Sequence, residues 1–284
     1  MPDQLETLIR AVSSKTLEVI LVASGKGGVG KSILSANLAV SLARSQKNVL
    51  LFDADAGFAN ADILLGVTTR NTLKDYLIGK MELKEVLYPT RYGVWLLSSG
   101  TDAQDLMAFR TESKHQLLQD FLEIAYDMNY AVVDTGAGYT EELYSFYSAA
   151  DKLFLVTTPE PTALMNVYTL AKILANKGIY PKLYLVMNQS RNTIKDTKVL
   201  ERFSYVLEKF AGWEVEDKFI LRYDVNVGNS VLKQVPLIEA NKHSQPAQAI
   251  LRIAQQIVTR SEDHVVPDES KGFISKVKRL FGIK

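Results

Sequence analysis

The stretch Leu17-Glu18-Val19-Ile20-Leu21-Val22-Ala23-Ser24-Gly25-Lys26-Gly27-Gly28-Val29-Gly30-Lys31-Ser32 decides the fold. A buried-strand run, Leu17 to Ala23, ends abruptly in a glycine loop, and a helical pattern follows from about Lys31 to Ser45. Gly25 to Ser32 fits the phosphate-loop pattern G-x-x-x-x-G-K-[ST], and the strand–loop–helix context is the one that confirms it. Glycines let backbone N–H groups converge on phosphate oxygens, aided by the positive end of the helix that follows. Lys31 is expected to reach the β- and γ-phosphates and Ser32 to ligate Mg²⁺. The candidate nucleotide-binding set is Gly25, Lys26, Gly27, Gly28, Val29, Gly30, Lys31, Ser32 and Ile33.

Outward from this loop, strand and helix signals alternate. Asn48–Asp53, Gly93–Leu97, Tyr130–Asp134, Lys152–Val156 and Lys182–Val186 are near-continuous apolar runs, as strands covered on both faces must be. Helical patterns such as Ser113–Tyr126 and Thr162–Asn176 separate most of them. The spacing predicts an α/β fold: a doubly wound, mostly parallel sheet flanked by helices. Ligands bind at the carboxyl edge of such sheets, where Asp53, Asp55 and Asp134 fall. Four apolar residues followed by Asp134 make a Walker B pattern, whose carboxylate holds a water on Mg²⁺. A single strand-end Asp also reads as a helix N-cap, but three behind a phosphate loop argue for a metal and nucleotide site.

Composition bounds the rest. The 284 residues are 47% hydrophobic and 23% charged with net charge +1, so the chain can bury a sizeable core and shows no global field for nucleic acid. There is no Cys, which removes disulfides, iron–sulfur clusters and thiolate zinc sites together; three scattered His make a histidine metal site improbable. Nothing approaches an apolar run of roughly 18 residues, and no N-terminal signal is visible. The expectation is a cytoplasmic protein.

The second lysine, Lys26, makes the loop K-G-G-x-G-K-S. This resembles the deviant Walker A signature of the MinD/ParA class of ATPases, and the resemblance spans about residues 17–260. It implies ATP and Mg²⁺ as cofactors and an ATP-clamped homodimer in which Lys26 reaches the partner's nucleotide. In isolation Lys26 reads as a solvated loop lysine. Phe52 to Asp62 resembles the family's switch I, which implies that Asp55 positions the attacking water and that Asp53 supports metal and loop. Asp134-Thr135-Gly136-Ala137-Gly138 resembles switch II. The resemblance further places Asn60 at the nucleotide and dimer face and Asn188 on adenine, the other reading being a turn Asn. Arg222 stands where relatives carry Pro, so it either stacks on adenine or marks a different loop.

The two ends separate the relatives. Ser261–Ser270 reads as an acidic linker, and Lys271–Lys284 carries four Lys and one Arg with no acid. On an ideal helix Phe273, Ile274, Val277, Leu280 and Phe281 share one face, which reads as a membrane-surface anchor. It resembles the membrane-targeting sequence of MinD and of the flagellar FlhG family. The other reading is a helix packed on its own core, and docking in the monomer combines both. Residues 1–16 form an amphipathic arm whose Asp3, Gln4 and Leu8 match the FlhG motif D-Q-A-x-x-L-R, while Leu5 and Ile9 depart from it. That motif implies the SRP-type GTPase FlhF as a partner, with flagellar basal-body components. The expectation is an FlhG-like ATPase switch that sets flagellar number and placement, reversibly peripheral on the inner face of the cell membrane. The alternatives are a MinD-type division-site selector and a ParA-type DNA-partitioning ATPase. Balanced charge and an amphipathic tail count against the last, so no direct nucleic-acid contact is expected.

Overall fold

Continuous apolar strands need cover on both faces, and the chain supplies a layer of helices to each. The computed structural model describes residues 17–55, 59–100, 111–141, 143–263 and 273–280. Among the described residues eight strands form one sheet: β1 (Glu18–Ser24), β2 (Val49–Ala54), β3 (Leu87–Pro89), β4 (Val94–Ser98), β5 (Tyr130–Thr135), β6 (Lys152–Thr157), β7 (Lys182–Ser190) and β8 (Val215–Arg222). Their order is β3-β4-β2-β5-β1-β6-β7-β8, and every pairing is parallel except β3 with β4. The sheet is doubly wound, as the alternation predicts.

Successive residues of β1 point to opposite faces. Val19, Leu21 and Ala23 enter one core layer, and Ile20 and Val22 the other. The second layer is closed by α1 (Lys31–Arg44), α2 (Ala61–Leu65), α9 (Leu237–Ala240) and α10 (Gln245–Asp263). α1 lies between the sheet and α10 and is buried almost all round, which its small residues Ala36, Ala39 and Ser41 permit. The first layer holds α3 (Leu73–Leu77), α4 (Thr111–Ala125), α5 (Tyr144–Ala149), α6 (Pro161–Asn176), α7 (Thr193–Ala211) and α11 (Phe273–Leu280). α8 (Val225–Leu232) follows β8.

Predicted strand and helix ends agree with the structure to within a residue or two, apart from β7, which runs on to Ser190. β3 and β8 were not predicted as strands. β3 has three residues, and β8 (VEDKFILR) alternates exposed charges with half-buried positions as an edge strand does. α10 extends to Asp263, three residues into the stretch read as a linker. The arm with Asp3, Gln4 and Leu8 lies outside the described residues, as does Phe281; the side chains of Phe273 and Ile274 are likewise undescribed.

The tail helix α11 is docked on the chain's own core. Val277 and Leu280 are 1% and 2% exposed, within the cluster packed around α4 and α5. Lys276 closes the contact: its Nζ lies 2.9 Å from Asp151 Oδ1 and donates to the Leu17 carbonyl at 3.2 Å. The other oxygen of Asp151 accepts the Val19 N–H at 2.8 Å, so the clamp is rooted in the starts of β1 and β6.

Candidate functional site

The loop from Gly25 to Gly30 crosses from β1, at the centre of the sheet, to α1. Gly30 is the N-cap of α1 with φ 94°, a left-handed conformation that favours glycine, and Gly28 has φ 77°. A Cβ on Gly25 would sit 2.3 Å from the Asn166 carbonyl carbon, so α6 presses directly on the loop backbone. The loop is pinned from β7 as well: Asn188 Nδ2 donates to the Val29 carbonyl at 2.8 Å, and Gln189 Nε2 donates to that of Gly28 at 3.3 Å. Gln189 takes a left-handed φ of 58°, a strained conformation for a non-glycine residue, which serves to bring that amide to the loop.

Strand register gathers the carboxylates. Asp53 and Asp134 are direct neighbours across β2 and β5, and Asp134 also lies beside Val22 of β1. Asp53 is 1% exposed; its Oδ2 accepts the Asn60 and Ala61 N–H groups, both at 2.8 Å, and its Oδ1 that of Asp55 at 3.2 Å. It therefore organises the segment carrying Asp55 and Asn60. Burial still pushes Asp53 up to about 6, against those three hydrogen bonds. Asp134 is fully buried and pushed up to about 7, chiefly by burial and then by Asp53, while Ser32, Lys31 and Ser35 favour its charged form. Its Oδ1 accepts the Ser35 hydroxyl at 3.1 Å, and its Oδ2 is buried with no hydrogen-bond partner among the described residues. Asp55 is half-buried beside Lys31; burial raises its pKa and the Lys31 ammonium opposes the rise. A Cβ on Gly136 would lie 3.2 Å from Asp55 Oδ1, so the segments that follow β2 and β5 touch here.

A buried carboxylate oxygen without a partner fits a divalent cation, and the open glycine loop at a helix start, with Lys31 beside it, fits a phosphate chain. Ser32 and Asp134 would hold such a cation, with Asp53 one layer behind, and when bound it would supply positive charge against a phosphate chain. Lys31, 6% exposed, brings its charge from the protein side. A shallow depression with largely apolar walls adjoins the loop, bounded by Gly30, Ile33, Val186, Asn188, Leu221 and Val227. Arg222 is not among its lining residues; its N–H donates to Gln245 Oε1 at 2.7 Å. Asn60 Oδ1 is a second buried acceptor without a partner. Lys26 is largely exposed and its Nζ lies 2.8 Å from Glu160 Oε2. Glu160, Ser35 and Gln189 were not read from the sequence, because their partners lie about 100 residues or more away along the chain.

Proton and metal compete for Asp134, which gives a pH prediction. A carboxylate raised from 3.8 to about 7 favours the fold at low pH, and that contribution is lost as pH rises through about 4–7. Mg²⁺ should therefore raise the melting temperature more at about pH 8 than at about pH 5.5, and Asp134→Asn should flatten this difference. Differential scanning fluorimetry reads it; a Mg²⁺ shift equal at both pH values would contradict the assignment.

Residues 15–258 match the ParA family model, described as a NUBPL iron-transfer P-loop NTPase. The antiactivator FleN of Pseudomonas aeruginosa is 32% identical over 245 residues, 86% of this chain and 88% of its own length. The flagellum site-determining protein YlxH of Helicobacter pylori is 31% identical over 271 residues, 92% and 88% of the two chains. Among solved structures, the septum site-determining protein MinD of Pyrococcus horikoshii, complexed with Mg-ADP, superposes with a TM-score of 0.68. It covers 88% of this chain and 100% of that one at 22% identity, a likeness of fold. No helix among the described residues is long and apolar enough to cross a membrane. On these matches the chain belongs to the ParA/MinD family of P-loop ATPases, working on ATP with Mg²⁺.

Proposed function

We propose that this ATPase is a nucleotide switch whose ATP state is a homodimer bound to a membrane surface through α11. The observation that carries it is the docked tail: the apolar face suited to lipid, Val277 and Leu280, is buried in the core. A basic amphipathic helix with an apolar face can be held or released, and the two states exclude each other. Burying two such side chains is worth roughly 3–6 kcal/mol, so release needs an offset of that order. Lipid insertion and ATP-driven pairing of two tails supply it through avidity. Lys276, one cation that would meet anionic lipid, is engaged with Asp151 while the tail is docked.

On the nucleotide side, Lys26 points from the exposed loop surface, where a second copy's nucleotide would meet it, and Glu160 holds it meanwhile. Asp55, beside both Lys31 and Gly136, orients the attacking water. Asn188 and the adjoining apolar depression take the base, and Asn60 faces the nucleotide at the dimer surface. Hydrolysis removes the γ-phosphate contacts of the switch loops, so the dimer parts and the tails re-dock.

The cellular role we infer is control of flagellar number and placement, supported by the likeness to FleN and YlxH. The arm with Asp3, Gln4 and Leu8 engages an SRP-type GTPase of the FlhF kind, and basal-body components are the further partners. Deleting the gene in the organism that encodes it, and counting flagella and minicells in the same images, tests this. Altered flagellar number with normal division supports the reading. Minicells with normal flagella would overturn it in favour of division-site selection.

A further inference from the structure

A continuous hydrogen-bonded path leads from the phosphate loop to the seat of the tail helix. The Ser24 hydroxyl, at the end of β1, donates to the Lys26 carbonyl at 2.7 Å. The Ser24 carbonyl accepts the Gly138 N–H at 2.7 Å. Gly138 has φ 83° and closes the loop after Asp134. Its carbonyl accepts the Tyr147 hydroxyl at 2.8 Å.

Tyr147 is fully buried, and a buried phenol needs a hydrogen-bond partner. The partner it has is the loop that carries Gly136 against Asp55. Tyr147 belongs to α5, a helix of six residues without a side-chain N-cap, so tertiary contacts set its position. The neighbouring Phe146 meets Phe52 edge-on at 5.6 Å, one residue before Asp53. α5 also packs against α11, and Phe146, Tyr147, Val277 and Leu280 share one core cluster. β2 and the loop that follows β5 thus bear on the short helix that seats the tail.

We propose that Tyr147 is the positioning residue that couples the nucleotide loops to docking of α11. Its hydroxyl fixes α5 relative to Gly138, and α5 so placed completes the surface on which Val277 and Leu280 rest. A move of the Gly136–Gly138 loop on nucleotide exchange withdraws the acceptor, shifts α5 and loosens the tail. The proposal rests on the reading that the tail is released in the ATP state.

Hydrogen exchange over residues 273–280 tests it, using the full chain with Mg-ADP and with Mg²⁺ and a non-hydrolysable ATP analogue. In the unmodified protein these amides should exchange slowly with ADP and faster with the analogue. Tyr147→Phe keeps the ring and removes one hydrogen bond. Exchange of α11 with ADP should rise roughly threefold to tenfold, and the difference between nucleotides should shrink by the same factor. An unchanged difference in Tyr147→Phe would overturn the proposal, and so would faster exchange spread evenly over the whole sheet. No nucleotide dependence in the unmodified protein would overturn it too. Vesicle sedimentation is the separate arm. A tail whose exchange follows the nucleotide and Tyr147, but which never binds lipid, would retain the coupling and refute the membrane reading.

Discussion

Replacing Lys31 by alanine is expected to abolish ATP binding, with the dissociation constant raised at least about 100-fold. Lys31 is 6% exposed, on the first turn of α1, where its charge stands with the helix start and the loop N–H groups. Charge-assisted hydrogen bonds contribute about 1.5–3 kcal/mol each, and two phosphates make the loss roughly 3–6 kcal/mol. The ammonium also favours the charged forms of both Asp55 and Asp134, so its removal lets both take up protons at higher pH. Isothermal titration calorimetry at neutral pH measures it. Affinity within about tenfold of the unmodified protein would contradict the assignment of the loop, since 1.4 kcal/mol is already a factor of ten.

Gly25→Ala should strongly destabilise the protein, and Gly27→Ala should be nearly silent in the nucleotide-free protein. The added Cβ at Gly25 would lie 2.3 Å from the Asn166 carbonyl carbon and 2.6 Å from its oxygen. Both are backbone atoms, so no side chain can swing aside; β1 and α6 must separate. Overpacking of this severity costs about 3 kcal/mol or more, which for a domain of this size lowers the melting temperature by roughly 6–12 °C. At Gly27 nothing lies within 4 Å of the added carbon, and φ is not in the left-handed region. The contrast uses the same chemical change two residues apart. Equal melting temperatures for the two variants would refute the packing of α6 on the loop.

The features legible in the sequence are those written in local order. Gly25 to Ser32 lies within one turn and one helix start, so its pattern carries its geometry. The carboxylates were legible because each ends an apolar run, and parallel pairing then aligns Asp53 with Asp134. The residues that hold this site together were not legible. Ser35 meets Asp134 across 99 positions, Lys26 meets Glu160 across 134 and Gln189 meets Gly28 across 161, with no short-range pattern to announce them. The left-handed Gln189 runs against its residue type and has no sequence signal. β8 was missed because an edge strand with Glu216 and Lys218 exposed lacks the apolar run that marks a central one.

The tail shows a different limit. An apolar stripe at helical spacing serves a membrane interface and a protein core alike, because both are apolar surroundings for the same side chains. The choice is made by contacts remote in sequence. Lys276 finds Asp151 and the Leu17 carbonyl, while Val277 and Leu280 find the surface beside α5. The packing gives the docked state a defined structure, and under the proposed switch the same stripe would face lipid once released.

Sedimentation of the full-length protein with anionic vesicles, in Mg-ATP and in Mg-ADP, tests the central claim most directly. ATP should carry the protein into the pellet, ADP should leave it in solution, and removal of residues 271–284 should keep it in solution with either nucleotide. Equal binding in ATP and ADP, or ATP-dependent binding that survives loss of the tail, would contradict the account.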